Sequence, residues 1–164
     1  MTWFVALMAL LAAIIVLGGL FLVATANRLD RLHVRLDAGW AALDAALARR
    51  AVVARTVAAG VLNGDEAAAV LQAADTAEAA PRAEREDTEN ELTKLLASVR
   101  REELPPRLAD ELADAEYRVV IARRVHNDAV RDTLALRRRR KVRYFKLAGT
   151  APQPQYFEIV EPQL

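Results

Sequence analysis

The densest group of charged side chains in this sequence is a basic run near its carboxyl end. It consists of five consecutive basic residues and one more two positions further on: Arg137, Arg138, Arg139, Arg140, Lys141 and Arg143. We call this group the arginine run. Such a run could attract anionic lipid headgroups, with a binding free energy on the order of 1 kcal/mol per residue. It could equally be the solvated end of a helix, where the helix dipole favours cations. No interleaved aromatic platform or recognised motif accompanies it, so the sequence does not predict nucleic-acid binding.

Three arginines nearer the amino end, Arg28, Arg31 and Arg35, could contact anionic lipid in the same way. Whether the two basic groups meet depends on the path of the chain at Pro81. In a bundle of three long helices the carboxyl-terminal run lies far from the bilayer. A reversal at Pro81 instead brings it back to the membrane, beside Arg28 and Arg31.

Polar residues on the predicted helices form a second candidate group. Asp44 lies near Arg50 on one helix, and Glu116 precedes Arg123 on another. We expect a buried polar network that fixes the register of the bundle, because no nucleophile or phosphate-binding loop accompanies these carboxylates.

Two further residues are expected to be structural. Trp40 lies on the apolar stripe of its helix and is predicted to pack in the core, and Asn127 is assigned to the same structural network. The chain has no cysteine, and its two histidines, His33 and His126, have no second ligand at metal-binding spacing. The sequence therefore predicts no catalytic residue, no metal and no cofactor, and a protein that is not an enzyme.

The element that positions everything else is the apolar stretch 3–26, from Trp3 to Ala26, which contains no charged residue. At about 1.5 Å of rise per residue, a helix of this length exceeds the roughly 30 Å hydrocarbon core of a bilayer. A cleaved signal peptide is the alternative, since Ala24-Thr25-Ala26 has the small-x-small form of a cleavage site. Basic residues follow the span and none precedes it, which predicts a short outside tail, residues 1–2, and a cytoplasmic bundle.

The remaining chain predicts an all-α fold. It is rich in Ala, Leu, Arg and Glu, with 27% charged and 5% aromatic residues, which is typical of long helices. Apolar residues at helical spacing predict a first helix that continues from the span to Gly60 and a last one from Pro106 to Arg140 or Lys141. Between them we expect one helix that is kinked at Pro81, because no glycine or asparagine turn signal surrounds this proline. The expected architecture is an antiparallel bundle of three long helices over 27–141, or four if the chain reverses at Pro81. An irregular tail, 142–164, follows, whose aromatic residues could dock on the bundle.

Several short motifs, in order along the chain, resemble the LemA family of bacterial membrane proteins. They are Asn27-x-Leu29-x-x-Leu32, Trp40-Ala41-x-x-Asp44, Leu47-x-Arg49-Arg50, Val57-x-x-Gly60, Glu89-Asn90-x-Leu92, Asn127-Asp128-x-Val130 and Tyr156-Phe157-Glu158. The resemblance covers nearly the whole chain. It implies a membrane-anchored helical bundle without an established catalytic site.

Together these features predict a single-pass protein of the bacterial inner membrane that acts as a scaffold or interaction protein. The expected partners are the lipid bilayer and another membrane or envelope protein, or further copies of this chain, and not nucleic acid. The alternatives are an accessory or regulatory subunit of a membrane protease or transporter, or a bundle that contacts anionic lipid through its arginine run.

Overall fold

The computed structural model describes residues 2–149 and 151–160, and over these residues the chain is helical, without a β-strand. The elements are α1 (Thr2–Gly60), α2 (Gly64–Ala79), α3 (Arg85–Ser98), a 3-10 turn (Arg101–Glu103), α4 (Pro106–Arg137) and α5 (Arg140–Tyr144). The predicted all-α class, the end of the first helix at Gly60 and the start of the last long helix at Pro106 are confirmed. Met1, Thr150 and 161–164, which belong to the predicted tails, lie outside the described residues.

The chain divides into two compact units. Of the described residues, the first unit contains 2–36, 129–149 and 151–154, and the second contains 37–128 and 155–160. Helices α1 and α4 contribute residues to both units. The predicted boundaries between span, bundle and tail stay a prediction.

The first part of α1 is exposed along its whole length. Every residue from Thr2 to Leu20 is exposed, and Gly18 and Gly19 have open space where a side chain would lie. This helix is long and apolar enough to cross a membrane, with a mean hydropathy of 2.8 over its most apolar window. An apolar surface of this size is stable in lipid, where a helix satisfies its own backbone hydrogen bonds.

The second unit has a core built largely from small side chains. Val57 of α1, Val70 and Ala74 of α2, and Leu92 and Leu96 of α3 are buried together. The alanine-rich faces let the helices approach closely, and the leucines of α3 fill the space between them.

The chain reverses at Pro81, since α2 ends at Ala79, α3 begins at Arg85, and the two helices pack against each other. The expectation of one kinked helix, and with it a bundle of three long helices, is therefore wrong. The alternative with a reversal is the one observed.

The reversal at Pro81 uses the Arg85 side chain in place of the glycine or asparagine that commonly ends a helix. Pro81 accepts a hydrogen bond from the N–H of Glu84 at 2.9 Å, which closes the turn. The guanidinium of Arg85 donates to the carbonyl oxygens of Glu78 at 3.2 Å and Ala80 at 3.4 Å. These carbonyls lie at the end of α2, where no further turn of helix can satisfy them. A long side chain beyond the turn thus supplies the cap.

The first unit returns the carboxyl-terminal part of the chain to α1. Leu29 is buried against Leu136 and Val142, with Leu32 and Leu147 at the edge of this cluster. Helix α4 ends at Arg137 rather than at Arg140 or Lys141, and α5 occupies the start of the region predicted to be irregular. The predicted end of the last long helix is corrected accordingly.

The reversal at Pro81 can be measured between two introduced cysteines, because the chain has none of its own. Ala69 of α2 and Glu91 of α3 line one groove. Spin labels on Ala69→Cys and Glu91→Cys should show a separation near a helix-packing distance of about 10 Å plus the reach of the labels. A continuous helix would place the two positions about 33 Å apart, and such a distance would contradict the fold.

Candidate functional site

Arg50 and Glu89 form an ion pair inside the second unit, and both side chains are 0% exposed. The Arg50 guanidinium donates to the Glu89 carboxylate at 2.5 Å and to the Thr93 hydroxyl at 2.9 Å. Arg85 donates to the other Glu89 oxygen at 3.2 Å and pairs with Asp44 at 3.1 Å. Four ionised groups from α1 and α3 thus form one continuous network.

A second buried carboxylate, Glu116 of α4, is held from the turn that precedes its helix. Arg101 donates to both oxygens of Glu116, at 3.0 and 2.8 Å. Arg123, which the sequence placed beside Glu116, lies 3.5 Å from the Glu158 carboxylate. The ion pairs of Asp44, Arg50 and Glu116 therefore join different elements, and spacing within one helix could not reveal them.

Sequence reasoning missed Glu89, Arg85 and Arg101 as members of these networks. A signal for Glu89 was present, because it precedes Leu92 by one helical turn and so lies on the apolar face of α3. For Arg101 no comparable signal exists, since it lies in a short 3-10 turn without periodicity.

Trp40 of α1 is the centre of an aromatic cluster. Its ring meets the rings of His126 at 5.6 Å and Phe157 at 5.8 Å, both edge to face. The guanidinium of Arg82 lies 3.9 Å from the centre of the Trp40 ring, a cation–π contact. These four residues and Glu86 line a pocket of about 260 Å³. Trp40 therefore lies at the edge of the core, half-buried, rather than inside it.

His126 is completely buried where α4 meets α1. A Cβ atom on Gly39 would lie 3.3 Å from the His126 Cα atom, so a glycine at this position permits the close approach of the two helices. Burial lowers the pKa of His126 and the nearby Arg82 cation adds to this effect, while the backbone of Gln155 acts in the opposite direction. The imidazole is therefore neutral in the folded chain at neutral pH.

The extended segment 155–160 is held on the helices by bonds to its backbone. The Asn127 amide donates to the Phe157 carbonyl at 3.0 Å and accepts from the Phe157 N–H at 2.9 Å. Glu86 and Asn90 of α3 accept the N–H groups of Glu158 and Val160, each at 2.8 Å. We call this set of contacts the tail clasp. Of the aromatic residues expected to dock, Phe157 does so, whereas Tyr144, Phe145 and Tyr156 remain exposed.

The predicted lipid-contacting arginines lie in the first unit. Arg28, Arg31 and Arg138–Arg140 are exposed, and Arg35 pairs with Asp132 at 3.3 Å. Arg137 donates to the carbonyl oxygens of Ala151 and Pro152, each at 2.7 Å. The side chain of Lys141 lies outside the described part of the chain. The packing of Leu29 on Leu136 and Val142 brings the two basic groups together.

An open groove of about 830 Å³ lies between α1 and α4 in the second unit. One side is formed by the small residues Ala42, Ala45 and Ala46 of α1, and Tyr117 and Ile121 of α4 line the other. Arg49, Asp114 and Arg118 add charge, although Arg118 and Asp114 pair with each other at 2.7 Å. We call this surface the α1/α4 groove. Its shape and chemistry suit an apolar helix with a charged edge.

Within the described residues, no group of three or more histidine, aspartate or glutamate side chains is placed to hold a metal ion. Comparisons of the chain with models of known protein families, with curated proteins and with solved structures give no match.

The buried ion pair predicts a non-additive pair of substitutions. Glu89→Leu leaves the Arg50 guanidinium buried without its carboxylate and should lower the free energy of unfolding by about 3–5 kcal/mol. The double variant Arg50→Met, Glu89→Leu should recover most of this loss, because both charges are gone. Denaturation of the chain in detergent, followed by circular dichroism, measures both. Glu91→Leu on the same helix, which breaks the exposed pair with Lys94, is the matched control and should cost no more than about 1 kcal/mol.

Burial of neutral His126 predicts that stability falls in mild acid. Unfolding restores the imidazole to an ordinary pKa near 6.5, so the unfolded state takes up a proton below that pH and the folded state resists it. The free energy of unfolding should then decrease from about pH 7.5 to about pH 5.5, by at most about 1.4 kcal/mol per pH unit from this residue. His126→Gln cannot be protonated and should show a shallower decrease. Equal pH slopes for the two proteins would contradict this assignment.

Proposed function

We propose that this chain is a LemA-like protein of the bacterial inner membrane, anchored by α1, whose helical units act as an interaction scaffold without catalysis of their own. The observation that carries the proposal is the first part of α1. It is apolar and entirely exposed, and it belongs to the same helix that lines the core of the second unit. Lipid is the solvent that suits such a surface.

Retention of the anchor is supported by packing at its end. Thr25 is only 7% exposed, and its hydroxyl donates to the Phe21 carbonyl at 2.9 Å. The small-x-small sequence at Ala24-Thr25-Ala26 is thus partly covered by the first unit, and Leu29 packs just beyond it. The uncharged stretch 3–26 is also longer than the roughly 7–15 residues of a signal-peptide core, which favours an uncleaved anchor.

A cytoplasmic location of the helical units is supported by charge. The first unit holds eleven basic and two acidic residues, and the rest of the chain holds twelve basic and twenty acidic ones. Basic residues close to a membrane span are retained on the cytoplasmic side. The excess in this chain follows the span directly and is increased by the arginine run packed beside it.

The α1/α4 groove is the surface we assign to a protein partner. Tyr117, Ile121 and Val125 are spaced one turn apart on α4 and are all exposed, although each is large and apolar. The alanines opposite allow another helix to approach closely. An apolar helix of a second envelope protein fits this surface, and so does a helix from a second copy of this chain.

We infer the absence of catalysis from the ion pairs that the buried charged residues form. The buried ions Arg50, Glu89 and Glu116 are paired with one another or with neighbouring arginines inside the core, which leaves them no access to a substrate. The network therefore suits a role in helix register.

An accessory subunit of a membrane protease or transporter is the second candidate. The same groove favours it, because a regulatory subunit also needs an apolar surface that a transmembrane or juxtamembrane helix of the enzyme can cover. The two candidates differ in the protein bound there.

The anchor is tested by extraction of bacterial membranes with alkaline carbonate. The full-length chain should stay in the membrane, as should Leu11→Ala, Ile15→Ala. Leu11→Arg, Ile15→Arg should be lost from it, because each arginine at mid-span costs about 2.5–3.5 kcal/mol. A soluble chain, or one whose mass lacks residues 1–26, would overturn the proposal.

The interaction surface is tested in the same membranes with a photo-crosslinking amino acid. Placed at Ile121 in the groove, it should capture one protein in stoichiometric yield, whereas placed at exposed Asp110 it should not. Copies of this chain, or an envelope protein without enzymatic activity, support the scaffold, and a membrane enzyme supports the accessory subunit. Equal, unspecific adducts at both positions would contradict a binding groove.

A further inference from the structure

Acidic residues are missing from the whole segment 133–157, although it contains seven basic ones. Elsewhere in the described chain arginines commonly pair with carboxylates, as Arg55 does with Asp75 and Arg101 with Glu116. Among the described residues of this segment, Arg137 bonds only to backbone carbonyls, and Arg138, Arg143 and Lys146 have no carboxylate partner. Within the part of the chain that the structure describes, no carboxylate pairs with these three cations.

This charge lies close to the end of the apolar stretch of α1. Leu136 and Val142, which flank the arginine run, are buried against Leu29, with Leu32 beside them. Leu29 and Leu32 follow Ala26 by three and six residues, which corresponds to about 4.5 and 9 Å of helix. The headgroup layer extends about 5–7 Å beyond the hydrocarbon core. With α1 in a bilayer, the arginine run lies at the level of the lipid phosphates.

Two aromatic side chains project from the same place. Tyr144 is 82% exposed and Phe145 is 51% exposed, and their rings pack edge to face at 5.1 Å. Arg140 and Arg143 border the same surface. Large exposed aromatic rings are unfavourable in water, but rings beside basic residues are favoured at the membrane interface, where the ring enters the acyl boundary and the cation meets phosphate.

A polar pocket of about 580 Å³ lies next to this aromatic pair, with Arg138, Arg143 and Lys146 among its lining residues. Three cations around one polar pocket match a phosphate group, to which a guanidinium can donate two hydrogen bonds.

From these observations we propose that the surface formed by 137–140 and 142–146 is a binding site for the phosphate headgroups of anionic phospholipids, with Tyr144 and Phe145 inserted at the acyl boundary. The proposal rests on the membrane anchor described above and adds a lipid preference to it. The cytoplasmic leaflet carries the anionic lipid that such a site requires.

The test uses the full chain in vesicles, with tryptophan as the probe. Trp3→Phe, Trp40→Phe and Tyr144→Trp leave one tryptophan at the proposed interface. Lipids with brominated acyl chains quench tryptophan fluorescence on contact. Two kinds of vesicle are compared, both made of phosphatidylcholine and phosphatidylglycerol in equal mole fractions. In one kind the phosphatidylcholine carries the bromine, and in the other the phosphatidylglycerol does. A site for anionic headgroups should give stronger quenching by brominated phosphatidylglycerol, with a preference on the order of fivefold per basic residue.

Matched variants separate this site from a general effect of charge. Arg138→Gln, Arg143→Gln, Lys146→Gln should make quenching by the two brominated lipids equal. Lys94→Gln, Arg100→Gln, Arg107→Gln removes the same charge from exposed positions of the second unit and should keep the preference. Inorganic phosphate at millimolar concentration should not compete, because the site requires phosphate presented at a membrane surface. Competition by inorganic phosphate would overturn the lipid assignment in favour of a soluble anion.

The outcomes distinguish the two proposals. If the chain floats with the vesicles but its tryptophan shows no preference for the anionic lipid, the headgroup site is overturned and the anchor stands. If single-stranded RNA removes the preference at physiological salt, the segment is a nucleic-acid surface and the headgroup site is likewise overturned. If the chain does not float with the vesicles, the anchor itself fails.

Discussion

The fold of the second unit depends on one requirement, that neither Arg50 nor Glu89 can be left alone in the core. A buried charge without its partner is unfavourable by several kcal/mol, whereas the paired and hydrogen-bonded ions are tolerated. Glu89 therefore faces Arg50 of α1, which holds α3 against α1, and the reversal at Pro81 lets α2 pack on α3. Arg85 connects these features, because the same side chain caps α2 and binds both Glu89 and Asp44.

The two units differ in their balance of acidic and basic residues. Acidic residues are concentrated in the second unit, where many form ion pairs with arginines. The first unit combines an uncharged apolar helix with a large excess of basic residues. The chain thus contains two regions of opposite charge, which nearly cancel to give a total of only +1.

Periodicity was enough to predict the helical class, the exposed apolar segment and the ends of the helices at Gly60 and Pro106. It failed at Pro81, because the reversal relies on the Arg85 side chain, and a cap of this kind has no local sequence signature. The polar residues show the same limit. Asp44, Arg50 and Glu116 could be selected from the sequence, but their partners could not, since each partner lies on another element. For the arginine run, the sequence left open whether it meets Arg28 and Arg31, and the packing of Leu29 against Val142 shows that the two basic groups lie close together.

The contacts of the tail clasp constrain the backbone of residues 155–160 more than most of their side chains. Asn127, Glu86 and Asn90 bind backbone groups, which every residue type except proline offers equally at an N–H position. Phe157 and Ile159 point into the core and are constrained by its shape. Tyr156 and Val160 face outward, so homologous chains are free to exchange them for most other residues, and relatives of this protein should be easier to recognise by the alternation of the segment than by its identity.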